Sequence, residues 1–151
     1  RDTFGATGLA LFSASWFTLG LSNMTASQDA LSHAVGLYAF GFALAVVLLA
    51  IPAMGGKPMI GVIMLVAAVR SVLSGVHEWG GPSWVETTAG WLGVAIFALA
   101  MYGGLAFLLE DVQKKAVLPV FRRGASKDSF EGDLSAQLEQ LADEAGVRQT
   151  L

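Results

Sequence analysis

Residues 3–22, 33–54, 58–77 and 86–109 form four runs of mostly apolar positions. Each is long enough to cross a hydrocarbon layer of roughly 30 Å, which takes about 20 residues. Polar or chain-breaking positions separate them: the loop 23–32, the reversal Gly55-Gly56-Lys57-Pro58, and the break Gly80-Gly81-Pro82-Ser83. The pattern predicts four transmembrane helices, because backbone groups in lipid must be satisfied within the segment. Pro52 donates no amide and weakens the last turn of the second run, whereas Pro58 suits the first turn of the third. Residues 1–123 therefore read as an all-α integral membrane domain. From Gly124 the pattern changes. Lys127 and Arg148 face Asp128, Glu131, Asp133, Glu139, Asp143 and Glu144. Leu134, Leu138, Leu141 and Ala145 recur at helical spacing, with Asp133 placed to cap and Gly146 to stop. Residues 124–151 are expected to be an acidic tail carrying a short amphipathic helix, either a docking element or a solvated appendage.

The first run is an unusual anchor, since 12 of its 20 residues are Gly, Ala, Ser or Thr. Thr3, Thr7, Ala10, Ala14 and Thr18 share one helical face. Such a face suits a close helix–helix seam, or a path for water and a small polar solute. Phe4, Phe12, Trp16 and Leu19 lie elsewhere and bring bulk. In the fourth run Trp91, Ala95, Ala98 and Tyr102 share a face, and Ala89 with Gly93 makes a second small pair. Packing and pathway readings both fit these residues.

Composition agrees with the pattern: 54% of the 151 residues are hydrophobic and 14% charged, as in an integral membrane protein. A net charge of −3 argues against a nucleic-acid partner. There is no cysteine, His33 and His77 stand far apart, and no nucleophile–base pair, metal-ligand spacing or phosphate loop is visible. The sequence thus points to no enzyme, metal or cofactor. It shows neither an initiator Met nor a signal peptide and opens almost directly into a membrane run, as a piece of a longer protein would. Arg1, Lys57, Lys114, Lys115, Arg122 and Arg123 fall on one side of the four-span drawing, while the loops 23–32 and 78–85 hold no Lys or Arg. The positive-inside rule then places both termini in the cytoplasm, with Trp79 and Trp84 at the opposite interface.

Arg70 is the one basic residue inside a run. It shares a face with Ala67, Ser74 and His77, and Ser71 and Glu78 flank it. A charge about 10 Å from the helix end faces a bundle interior or wet cavity, or else snorkels outward to pair with Glu78. In a wet path it would attract a small anion, with hydroxyls from Thr7, Thr18, Ser71 and Ser74 as donors. A simple carboxylic acid titrates like a Glu side chain, so about one molecule in several hundred is neutral at pH 7 and the rest cross lipid poorly.

Several segments carry a family resemblance. Asp2-Thr-Phe-Gly-Ala-Thr7 with Ser13, Ser15 and Trp16, then Gly36-Leu-Tyr38, Ala89-Gly-Trp-Leu-Gly93, Ala98-Leu-Ala-Met-Tyr102 and Val117-Leu-Pro119, resemble the acetate uptake transporter family in order and spacing. The resemblance covers residues 2–119. It implies the last four helices of a six-helix bundle, usually assembled as a homo-hexamer in the plasma (inner) membrane. The implied function is passage of acetate and related small monocarboxylates, succinate included, together with protons, by symport or as a channel. It places apolar constriction residues at Phe12 and near Ala67. Thr7, Trp16, Thr18, Arg70, Ser71, Ser74 and Tyr102 are the candidate lining. The sequence departs from the family in lacking its first two helices and in having Arg70 where an apolar residue is usual, so the chain is expected to be an incomplete protomer. The rival expectation is a non-transporting four-helix membrane protein that anchors or assembles through its acidic tail.

Overall fold

The computed structural model describes residues 3–25, 32–113 and 115–124, with Lys127 and Ser135. The amphipathic segment expected around 133–146 lies outside the described residues, Ser135 excepted. Among the described residues there are four helices: α1 Thr3–Thr25, α2 His33–Gly56, α3 Pro58–Glu78 and α4 Ser83–Gln113. Among the described residues there is no strand. Of these, α2, α3 and α4 are each long and apolar enough to cross a membrane. The fourth run extends at both ends. Val85 N–H donates to the Pro82 carbonyl at 3.0 Å, starting α4 at Ser83. No Gly or Pro follows Leu109 before Pro119, so the helix continues to Gln113. Pro52 does not end α2. Its ring faces outward, and Lys57 N–H closes the final turn on the Ala53 carbonyl at 2.7 Å.

The helices stand in an open row: α1 lies beside α2, α2 beside α3, and α3 beside α4. The α2–α3 seam is the tightest. Gly36, Ala39, Ala43, Val46, Ala50 and Ala53 are the buried residues of α2. Their spacing of three and four makes a continuous small-residue stripe against which a second helix can close. From α3, Gly61, Met64, Ala67, Ala68, Ser71 and Gly75 meet it. A Cβ on Gly75 would stand 2.7 Å from the Phe40 ring and 3.0 Å from the Gly36 carbonyl, which shows how closely the backbones approach. At one end Glu78 and Trp79 clasp the start of α2. The Glu78 carboxylate accepts Ser32 N–H at 2.8 Å, and Trp79 Nε1–H donates to the His33 carbonyl at 3.2 Å.

α1 joins this unit by a different face from the one its sequence advertises. Thr7, Ala10, Ala14 and Thr18 are exposed, whereas Gly8 and Ser15 are buried and Leu11, Phe12 and Leu19 are half-buried. Phe12 meets Phe42 edge-on, with centroids 5.4 Å apart and planes at 86°. Phe12, off the Thr and Ala face, is thus the residue by which α1 packs on α2. A large ring filling the space beside α2 makes more van der Waals contact than a stripe of Ala and Thr.

α4 packs on α3 in antiparallel register. Glu86 meets His77, Gly93 meets Arg70, and Gly103 with Ala106 meets Met59. Past α4 the chain turns back. Val120 is buried with Met59 and Ala106, and Arg123 N–H donates to the Gly56 carbonyl at 3.0 Å.

Candidate functional site

The α3–α4 seam holds Arg70, Ser74, His77 and Glu86. Arg70 lies on the side of α3 away from α2, where the opposing residue of α4 is Gly93. A Cβ on Gly93 would stand 3.1 Å from Arg70 Nε, so the absence of a side chain there makes the slot along which the guanidinium runs. Arg70 Nε is buried and has no hydrogen-bond partner. Two turns along the same face, His77 Nε2 stands 3.7 Å from Glu86 Oε2, while its Nδ1 is buried without a partner. Ser74 sits between them and is half-buried. Two orphaned nitrogens thus lie along one interhelical face, and a buried N–H donor without an acceptor is costly unless something else supplies one.

Glu78 is not Arg70's counter-ion here, contrary to one of the two readings of that residue. Its carboxylate serves the start of α2, where a negative charge is favoured by the exposed amides. Arg70 faces the opposite neighbour. No carboxylate pairs with it among the described residues.

The other expected site residues divide into three groups. Phe12 and Ala67 come together, since Ala67 belongs to the buried cluster with Val46, Ala50 and Met64 on which Phe12 packs. Ser71 is also buried, but in the α2–α3 seam, and its hydroxyl donates to the Ala67 carbonyl at 2.9 Å. Thr18 spends its hydroxyl in the same way, on the Ala14 carbonyl at 2.9 Å. Thr7 and Thr18 are exposed, and Trp16 is 67% exposed. The face of Trp91, Ala95, Ala98 and Tyr102 is exposed too, so it packs on none of the four helices. Tyr102 reaches past the seam to donate its O–H to the Pro119 carbonyl at 3.0 Å. The small pair Ala89 and Gly93 is the face that meets α3.

Sequence reasoning missed the role of Gly93 and the buried pair at the far end of the seam. Glu110 is 2% exposed and accepts from Arg122 Nη2 at 2.5 Å. The Arg122 guanidinium also lies 5.5 Å from the centre of the Phe107 ring. A Glu ending an apolar run, followed by a basic pair after a Pro, was the available signal.

The described residues form an all-helical fold, and three of the helices have the length and apolarity of membrane spans. No family model matches the chain, and neither does any curated protein or solved structure.

Proposed function

We propose that this chain takes part in passing small monocarboxylates, acetate foremost, across a membrane. The observation that carries the reading is Arg70, a charge in a membrane-length helix whose buried Nε lacks an acceptor and whose slot is cut into α4 at Gly93. A carboxylate is the acceptor such a group attracts. The resemblance of the motifs on α1, α2 and α4 to the acetate uptake transporter family supports the same substrate class, and protons as the companion ion. In this reading α1 also spans the bilayer, both termini are cytoplasmic, and the inner membrane is the site. Phe12 and Ala67 contribute to an apolar narrowing near the middle. Further helices or copies of the chain cover the open row, as in a homo-oligomer.

Uptake of labelled acetate into vesicles containing the protein, with and without a pH gradient, tests this. Uptake above that of empty vesicles, abolished by Arg70→Gln, is the expected result. Uptake equal to empty vesicles, with helix content intact, removes the transport reading for the chain tested. The anchoring alternative would then stand, and it has its own observation: the hydroxyl-bearing face of Thr7, Ala10, Ala14 and Thr18 is left uncovered by α2, α3 and α4.

A further inference from the structure

Segment 118–123 is held at four points. Tyr102 O–H donates to the Pro119 carbonyl at 3.0 Å. Val120, 4% exposed, fills the space between Met59 of α3 and Ala106 of α4. Arg122 reaches the buried Glu110. Arg123 N–H donates to the Gly56 carbonyl at the turn between α2 and α3. Phe121, between the second and third of these, holds φ at 57°, a conformation that an ordinary side chain keeps only when its neighbours enforce it. Gly124 follows at φ 52°, where glycine turns the chain without strain.

These contacts do for α4 what its own packing does not. α4 meets α3 alone among the helices and buries little of its length. The segment ties it to a second place, the α2–α3 turn. One of these points is a buried charge pair. Glu110 gives one carboxylate oxygen to Arg122, and the other is buried without a hydrogen-bond partner. A buried charge that loses its partner is strongly destabilising, so removing either member favours release of the segment rather than a relaxed remnant.

We infer that segment 118–123 is a latch: while Glu110 holds Arg122, Val120 plugs the Met59 end of the α3–α4 seam and α4 stays against α3. Release lets α4 part from α3 and opens the seam toward Arg70. The latch stands on the packing alone; its meaning as a gate rests on the proposed passage of anions along this seam.

The chain has no native cysteine, so single cysteines report cleanly. Val120→Cys reads the plug and Ile63→Cys, beside Gly103, reads the seam behind it. The protein in lipid vesicles is exposed from both sides to a water-soluble maleimide, which needs a hydrated thiol to react. Both cysteines should be protected in the otherwise unaltered chain. In an E110Q background both should react about tenfold faster or more, since the buried Glu110–Arg122 charge pair is then broken. The exchanged pair, Glu110→Arg with Arg122→Glu, should restore protection. Equal labelling with and without E110Q overturns the latch, and so does release of Val120→Cys while Ile63→Cys stays protected. Helix content by circular dichroism is followed throughout, and a rise in labelling that comes with loss of helix also counts against it, because a latch moves without unfolding. Acetate uptake is measured on the same vesicles. Cysteines released by E110Q with uptake unchanged leave the latch in place and remove this seam from the path.

Discussion

Arg70→Leu should make the protein more stable and less active. The guanidinium sits eight residues before the end of α3, about 12 Å by helical rise. An Arg at mid-membrane depth costs about 3 kcal/mol more than a Leu on insertion scales, and less toward the interface, so roughly 2 kcal/mol is at stake here. The buried Nε adds to that cost, since a donor without an acceptor forfeits about 1–3 kcal/mol. Against this, Leu fills the Gly93 slot less well, and imperfect repacking returns about 1 kcal/mol. The net expectation is stabilisation by about 2–4 kcal/mol. Reversible unfolding in mixed micelles of a native and a denaturing detergent, followed by circular dichroism, measures it. The same variant should reduce acetate uptake, while Arg70→Lys, which keeps a charge, should retain part of it. Destabilisation by more than about 1 kcal/mol would mean that the guanidinium is satisfied in the membrane and serves the fold. Unchanged uptake would mean that the charge lies off the path. Either result refutes the reasoning.

Three further outcomes are expected. Gly75→Ala should destabilise by about 1–3 kcal/mol in the same unfolding assay, because its methyl meets the Phe40 ring and the Gly36 carbonyl, and a carbonyl in a helix does not yield as a side chain does. Phe12→Ala should lose about 3–5 kcal/mol, part of it the edge contact with Phe42. If Phe12 also narrows the path, uptake of succinate should rise relative to acetate. Tyr102→Phe removes a hydrogen bond to the Pro119 carbonyl worth about 1 kcal/mol, and should leave the ranking of acids in uptake unchanged because the hydroxyl is committed to segment 118–123.

The helices were legible in the sequence because each is a long, mostly apolar run bounded by polar or chain-breaking residues, and Ser32, Pro58 and Gly80 mark three of the ends. The faces were less legible. The stripe Gly36, Ala39, Ala43, Val46, Ala50 and Ala53 is buried, whereas the Thr and Ala stripe of α1 is not. Both are small at helical spacing. They differ in what lies opposite: α3 brings Gly61, Ala67, Ala68 and Gly75 to the first, and a seam needs small residues on both sides. One helix cannot announce its partner. The site shows the same limit. Arg70 stands out at once as a charge in an apolar run, but Gly93 acquires meaning only when α4 is laid against α3. Glu110 and Arg122 lie twelve positions apart and meet only because the chain reverses after Pro119.

α3 thus has two unlike sides, and the contrast bears on motion. Toward α2 it presents Ala, Gly and a Ser whose hydroxyl is already spent, in contact so close that an added methyl at Gly75 does not fit. Contacts of that density are lost together or not at all, so α2 and α3 move as one body. Toward α4 it presents Met59, and Arg70 and His77, whose buried Nε and Nδ1 have no hydrogen-bond partner in the seam. Separation of α3 from α4 exposes no well-paired polar group in mid-seam and gives Arg70 Nε access to water or an anion. The cost of opening is therefore concentrated at the ends, in the His77–Glu86 approach and in segment 118–123. A bundle built this way opens along its polar seam first, and that is the side on which the candidate anion-binding charge is found.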